Sequence, residues 1–164
     1  MSMIFKFRML CDENDDFLRD YEVMYNMTLL DFHDFICEDL GYDDAAISSF
    51  FTADRLWEKD REFTLLDMGA GEDGGPAAMS DVKVNDVIIE NGDRWLYVFD
   101  MFGDRALYLE MAGAHKSEEG AAYPRVTLSQ GEAPAQFDAS RMPAGDSIVA
   151  AALDEFRGFV GRAV

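Results

Sequence analysis

The stretch from Thr28 to Gly41 carries the start, stop and periodicity signals of a complete amphipathic helix, and it constrains the fold more than any other segment. Thr28 suits the N-cap, Asp31 completes a pattern like a capping box, and Gly41 suits the left-handed residue that ends a helix. At about 100° per residue, one side of this helix is apolar and the opposite side is acidic. The apolar side comprises Leu29, Leu30, Phe32, Ile36, Cys37 and Leu40. We therefore expect a central helix whose apolar side packs on a sheet.

One histidine lies within the apolar line of this helix. His33 stands one turn before Cys37 and next to Asp34, which would place possible metal ligands together. Zinc needs at least three protein ligands, however, and His115, in a predicted distant loop, is the only other histidine of the chain. The alternative is a buried histidine with a hydrogen bond to a neighbouring backbone or carboxylate group. We expect this structural role for His33 and keep it as a candidate catalytic residue.

The charge of the chain restricts its partners. With 14 basic and 33 acidic residues, the formal net charge is −19. Such a surface repels a phosphate backbone or an anionic membrane, so we expect neither direct nucleic-acid binding nor membrane binding. A solvated, soluble surface explains this charge, and a DNA mimic or an adaptation to high salt are the alternatives. A protein partner, if there is one, is expected to present a basic surface.

The cysteines and the hydrophobic runs predict a cytoplasmic protein. Cys11 and Cys37 are too few for a disulfide framework or for a metal cluster of their own. Lys6 and Arg8 interrupt the apolar run at the N-terminus, which therefore makes a poor signal peptide. The sequence contains no uninterrupted apolar segment near the roughly 20 residues that span a bilayer.

Alternating apolar and polar residues predict strands on both sides of the helix. Residues 3–10 form the first, with Phe5, Phe7 and Met9 on one face, and residues 17–25 pair antiparallel with it. The segment RWLYVFD, residues 94–100, is apolar on both faces and predicts a central strand, followed by a turn and a partner strand over residues 105–111. Further extended pieces are expected at residues 50–52, 56–57, 63–66 and 123–129, and Pro124 indicates the beginning of the last one or an edge position for it. A short helix capped by Asn85 is expected within residues 82–89.

Length and apolar content suit a single α+β domain over residues 1–164, with an antiparallel or mixed sheet packed against the central helix and a C-terminal helix. Residues 69–78 contain four glycines and a proline, which predicts a flexible loop inside this domain. A second, polar loop is expected at residues 112–122. Residues 130–145 predict a surface connection, and Asp146 can cap an amphipathic last helix over residues 147–164. The sequence leaves the oligomeric state open.

Two groups of carboxylates are candidate cation sites. Residues 12–16, DENDD, could bind calcium, but the spacing of an EF-hand is absent and a solvated hairpin loop is expected. Asp100 and Asp104 flank Phe102-Gly103, and they could act as an acid/base pair or bind a divalent metal. Aspartates also bind the backbone of their own turn, which is the role we expect here.

Four pieces of this chain resemble one known family. They are IFKFRM in the first strand, TLLDFHDFICEDLGYDD at the helix, the FF that follows, and LYVFDMFGDRALYLE at the late hairpin. With them, roughly residues 3–112 resemble the plasmid pRiA4b ORF-3-like family, a group of small intracellular proteins without an established activity. The resemblance implies an α+β fold with an antiparallel or mixed sheet, and it implies no reaction.

The chain also departs from the pattern of that family. Leu18-Arg19 stands where the family tends to have Trp-Arg, Ala46-Ile47 stands where it has His-Leu, and Met101 is an apparent insertion. The Trp and His that the family places in the hairpin are replaced near residues 106–107. If the family histidines form a metal or catalytic group, this chain keeps only His33.

Two functions remain as hypotheses. The first is a non-enzymatic interaction or binding domain that acts through an apolar groove or through its acidic face, without a cofactor. The second is a divalent-metal-dependent hydrolase that uses Asp100 and Asp104, with His33 as a further candidate. No Ser-His-Asp or Cys-His-Asn arrangement can be argued from so few histidines.

Overall fold

The computed structural model describes residues 2–67 and 75–137, which form one eight-stranded sheet and a 12-residue helix. The strands are β1 (Met3–Cys11), β2 (Leu18–Met24), β3 (Ser49–Ala53), β4 (Lys59–Thr64), β5 (Ala77–Ala78), β6 (Arg94–Asp100), β7 (Arg105–Lys116) and β8 (Arg125–Gln130). The helices are α1 (Leu29–Leu40) and the single turn α2 (Val84–Val87), which follows a 3₁₀ turn at Met79–Asp81. The predicted α+β class is confirmed.

The order of the strands is β5-β4-β3-β6-β7-β1-β2-β8. Neighbouring strands pair antiparallel except β4 and β5, which run parallel, so the sheet is mixed. The hairpin of β6 and β7 lies at the centre, as the two apolar faces of β6 predicted. Strand β8 begins just after Pro124 and lies at one edge of the sheet, in agreement with the predicted beginning or edge position.

Helix α1 forms as its sequence predicts. The Thr28 side chain accepts a hydrogen bond from the Asp31 amide at 3.0 Å, and Gly41 adopts φ 74°. Phe32 at the middle of the buried side packs against one face of the sheet: its ring centroid lies 5.1 Å from that of Phe7 and 5.6 Å from that of Phe50. Burial of such side chains contributes about 1.5–3 kcal/mol each. The face of the sheet that contacts α1 is called the core face below, and the opposite one the second face.

Strand β1 keeps the predicted alternation. Phe5 is half-buried and packs against the same core as Phe7 and Met9, and Ile4, on the opposite face of the strand, is buried as well. The pairing of β1 with β7 contains a β-bulge: Lys6 pairs with Gly113 and Phe7 with Met111, so Ala112 of β7 is the extra residue. The bulge depends on the pairing of β1 with β7, two segments far apart in the chain, and local alternation does not reveal it.

Three predicted loops or strands are wrong in their bounds. Strand β7 continues through residues 112–116, part of the predicted loop 112–122, because β1 pairs with it there. His115 therefore lies on a strand. Trp57, predicted to be extended, lies in a turn with φ 64°, and β4 occupies residues 59–64 rather than 63–66.

The short helix in residues 82–89 is confirmed, but its cap is not Asn85. The cap position is Lys83, whose backbone N–H donates to the Asp86 carboxylate at 2.9 Å. Of the glycine-rich loop 69–78, residues 77–78 form β5, and residues 69–74 lie outside the described residues. The predicted last helix and residues 138–145 of the connection before it also lie outside them. Within the described part, no helix has the length and apolarity to cross a membrane.

Candidate functional site

His33 is buried, and both of its ring nitrogens have partners. Nε2 lies 2.8 Å from the backbone carbonyl oxygen of Asp44. Since a carbonyl only accepts, Nε2 carries a hydrogen and donates it. Nδ1 then accepts from the hydroxyl of Tyr97, which lies 2.7 Å away. We assign His33 as a neutral imidazole with its hydrogen on Nε2, in the structural role that the sequence predicted.

Two more side chains complete this group. The Cys37 sulfur lies 3.4 Å from the Tyr97 hydroxyl, and the Ser48 hydroxyl lies 3.4 Å from His33 Nδ1. Burial raises the pKa of the Cys37 thiol to about 11, and it raises the pKa of Tyr97 well above its usual value. We call His33, Cys37, Ser48 and Tyr97 the buried polar cluster. Because a metal binds the thiolate, a thiol held protonated at neutral pH favours hydrogen bonding over ligation.

Asp100 and Asp104 are held in different environments. Asp100 accepts from the Gly103 amide at 3.1 Å, as the turn role predicted, and from Arg105 at 3.2 Å. Asp104 bonds to Lys59 at 2.6 Å. Their side chains are 9% and 73% exposed, respectively, so each carboxylate is already paired with a cation and only one faces solvent. The use of this pair for hydrolysis, with or without a metal, stays a prediction.

Arg105, at the start of β7, binds several groups that sequence reasoning did not connect. Its guanidinium makes two 2.9 Å bonds to the carboxylate of Glu13 and donates to the carbonyl oxygens of Ala135 and Gln136. Glu13 thus lies against a buried arginine, and the expectation of a fully solvated DENDD loop is wrong at this residue. The partners are about 30 and 92 positions away in the chain, and no local signal indicates such pairs.

The second face of the sheet carries a row of large apolar side chains across four neighbouring strands. Strand pairing aligns Phe51 with Leu96, Leu96 with Tyr108, and Tyr108 with Leu10. These residues alternate with core residues such as Phe50 and therefore point away from α1. We call Phe51, Leu96, Tyr108 and Leu10 the apolar row.

A row of alternating charges runs beside the apolar row. Strand pairing aligns Arg94, Glu110, Arg8 and Asp20 in this order. Arg94 binds Glu110 at 3.2 Å, and Arg8 binds Asp20 through two 2.8 Å bonds. The row contains two cations and two carboxylates, so it has no net charge beside the apolar row.

Trp57 packs against Tyr108, an inner member of the apolar row. Its ring centroid is 5.1 Å from that of Tyr108 in an edge-to-face arrangement, and the guanidinium of Arg94 lies 4.8 Å from its centroid. Trp57 has a positive φ, uncommon for a residue with a large side chain, within a turn in which the Asp54 side chain accepts from the amides of Leu56 and Glu58. A turn that sequence reasoning assigned as extended thus delivers an aromatic side chain to the second face.

A cleft of about 460 Å³ opens beside Trp57, between the β3–β4 turn and the turn before β6. Its charged lining residues are Asp54, Arg55, Glu90, Asp93, Arg94 and Glu110. Arg94 is bonded to Glu110 and to the carbonyl of Arg55, so acidic groups outnumber the basic groups left for a ligand. Among residues 2–67 and 75–137, no three His, Cys, Asp or Glu side chains are placed to hold a metal ion. The prediction on cofactors stays untested.

Comparison with known proteins assigns the family. The model of the plasmid pRiA4b ORF-3-like protein family matches residues 4–139. The chain belongs to this family. The match confirms the resemblance predicted from the helix and hairpin phrases, and it extends beyond β8 to the segment that Arg105 binds. No curated protein matches the chain.

A solved structure supports the fold of this pRiA4b ORF-3-like chain. It is the crystal structure of a protein of unknown function, MM3350, from Methanosarcina mazei Go1. The two chains superpose with a TM-score of 0.63 at 19% identity, over 79% of this chain and 70% of the other. At this identity the likeness concerns the fold alone.

Proposed function

We propose that this protein is a non-enzymatic interaction domain whose contact surface is the second face of the sheet. The apolar row supports this proposal. Leu96 is buried within the chain, but Phe51 and Tyr108 are half-buried and Leu10 is exposed, so the row leaves apolar surface on a face away from the core, and such surface marks interaction sites in soluble proteins. Leu10, at 46% exposure, is the accessible end of the row, and aromatic members such as Tyr108 are typical of interface centres.

The proposed partner is a protein with a basic surface. A net charge of −19 attracts such a surface over a distance and accelerates its association. The cleft beside Trp57 adds the carboxylates of Asp54, Glu90 and Asp93 next to the apolar row. In this proposal the apolar row supplies the affinity, and the carboxylates supply orientation and the rate of encounter.

Site-specific crosslinking tests the position of the surface. A photoreactive amino acid replaces Leu10 on the second face in one variant and Asp31, exposed on the outer side of α1, in a matched control. We expect one protein of basic surface to crosslink in cells from position 10 and not from position 31. Equal capture from both positions, or none from position 10, would reject the second face as the contact surface.

The recovered partner then allows a quantitative test. We expect Leu10→Glu to weaken binding by about tenfold or more, since it places a charge in the apolar row. Binding by the unmodified protein should weaken as salt rises from 50 to 500 mM, because screening removes the long-range attraction. If neither Leu10→Glu nor the rise in salt weakens binding, this partner does not bind through the apolar row and the acidic surface.

We also propose that the protein acts in the cytoplasm. Cys11 and Cys37 are both free thiols, which suits a reducing compartment. Cell fractionation with a specific antibody tests this location, and recovery of the protein outside the cell would contradict it.

A further inference from the structure

His115, near the end of β7, faces two groups that can only accept hydrogen bonds. Nδ1 lies 2.7 Å from the carbonyl oxygen of Lys116. Nε2 lies 3.1 Å from a carboxylate oxygen of Glu22, which belongs to β2. A neutral imidazole has one N–H and can serve one of these acceptors, whereas an imidazolium has two and serves both. The site is therefore matched to the charged form of histidine.

Glu22 connects this histidine to the edge of the sheet. It is 6% exposed, and its other carboxylate oxygen binds Arg125 of β8 at 2.7 Å. Strand pairing places Arg125 opposite Glu22 on one side and Lys6 of β1 opposite it on the other. Arg125 also lies 3.5 Å from Glu118, in the connection between β7 and β8.

Among the remaining neighbours, the carboxylate of Glu118 also raises the pKa of His115. On β1, the residues opposite the end of β7 are Met3 and Ile4, and both are apolar. The Lys116 side chain is exposed beside His115. Glu22 is thus the acidic group bonded to the imidazole, and Arg125 is the cation that shares it.

We propose that His115 is a pH-sensitive latch that joins the end of β7 to β2 and, through Glu22, to the edge strand β8. When His115 is protonated, both acceptors are satisfied and Glu22 bridges two cations. When it loses a proton, one ring nitrogen presents a lone pair to an oxygen, and that contact becomes repulsive. The segment from Ser117 to Pro124 and the start of β8 then open more often. This latch is separate from the apolar row.

The local electrostatics agree with this geometry. The hydrogen bond to the Lys116 carbonyl, followed by the bond to Glu22, raises the pKa of His115 above its usual value. Burial works against ionisation of Glu22, but the bonds from Arg125 and His115 outweigh it, and the pKa of Glu22 is lowered. The latch is closed at acidic pH and opens as pH rises through the pKa of His115.

NMR of the two histidines in the full chain tests the latch directly. Nitrogen-15 shifts of the imidazole rings, followed from pH 5 to 9, report the charge of each ring. We expect His115 to be an imidazolium at pH 6.5 with a pKa above the ordinary 6.5, and Glu22→Gln to lower that pKa. His33 provides a second imidazole signal in the same spectra, as an internal reference. A pKa at or below 6.5 for His115 in the unmodified protein overturns the proposal, whether or not Glu22→Gln folds.

Hydrogen exchange tests the consequence for the edge strand. After correction for the intrinsic rate, protection of the β8 amides should fall by about two- to fivefold between pH 5.5 and 8.5. His115→Asn, which offers the same donor at every pH, should abolish this change. The amides of β6 at the centre of the sheet provide a control within the same sample. A pH dependence of β8 that persists in His115→Asn shows that another group controls the strand, and the latch is then rejected.

Discussion

The two histidines of this chain occupy opposite kinds of site. His33 lies on the buried side of α1, where its ring contacts one acceptor, the Asp44 carbonyl, and one donor, the Tyr97 hydroxyl. His115 lies near the end of the central strand β7 between two acceptors, the Lys116 carbonyl and the Glu22 carboxylate. The partners at the first site suit a neutral imidazole, and those at the second suit an imidazolium. The difference teaches that the partners of the two ring nitrogens, and not burial alone, determine the form of a histidine.

The two histidines also differ in what they contribute: His33 to the stability of the core, and His115 to the pH dependence of the stability. A buried cluster with every member bonded to another specifies one arrangement of the core. A charged histidine with 31% of its side chain exposed contributes less to stability, but its contribution changes with pH. The predictions below test this difference in order of expected effect.

Removal of the buried histidine should have the largest effect. His33→Ala leaves a cavity under α1 and removes the partners of the Tyr97 hydroxyl and the Asp44 carbonyl. We expect a loss of about 2–4 kcal/mol in the free energy of unfolding, measured by urea denaturation. Ile89→Ala, at a residue 88% exposed, is the control and should change stability by less than about 0.5 kcal/mol. A loss below 1 kcal/mol for His33→Ala would show that the cluster does not support the core.

Removal of a single hydroxyl from the same cluster should have an intermediate effect. Tyr97→Phe keeps the aromatic ring between His33 and Phe50 and deletes the donor to His33 Nδ1. We expect a loss of about 1–3 kcal/mol, because a buried acceptor loses its partner. The His33 ring should keep its hydrogen on Nε2, which nitrogen-15 shifts can verify. A switch of the hydrogen to Nδ1 would contradict the assigned role of the Asp44 carbonyl.

Removal of the charged histidine should have the smallest effect, and this effect should depend on pH. The pKa of His115 is raised in the folded state, so its contribution is full below the unfolded pKa of about 6.5 and is lost as pH rises through the folded pKa. We expect His115→Asn to cost about 0.5–1 kcal/mol at pH 5.5 and close to nothing at pH 9, by urea denaturation. An equal cost at both pH values would place His115 in the same class as His33.

Local sequence signals predicted the parts of the fold that depend on near neighbours. The cap at Thr28, the end of α1 at Gly41, the pairing of β1 with β2 and the central hairpin of β6 and β7 are confirmed. These features rest on periodicity and turn chemistry within a few residues. The bulge in β7 and the extension of β7 were missed, because both depend on pairing with β1, a distant segment. The turn at Trp57 is local: the Asp54 side chain accepts hydrogen bonds from the amides of Leu56 and Glu58, a turn signal of aspartate that sequence reasoning did not use.

The candidate sites show the same division. The sequence indicated that His33 would be buried and bonded to a backbone or carboxylate group, and that Asp100 would bind its own turn. Periodicity could not reveal that Arg105 would join Glu13 to Ala135, or that Glu22 would join His115 to Arg125. Such pairs carry no joint pattern in the chain, since strand order alone brings them together.

From its sequence alone, this protein was determined to be a strongly acidic α+β chain with one capped helix, a central hairpin and the phrases of its family. Only the tertiary structure decided which ring nitrogen of each histidine meets a donor or an acceptor, and which side chains align across the second face. The physical reason is that helix and turn formation use interactions between near neighbours, whereas the charge of a histidine and the register of an apolar row depend on groups up to about 90 residues away.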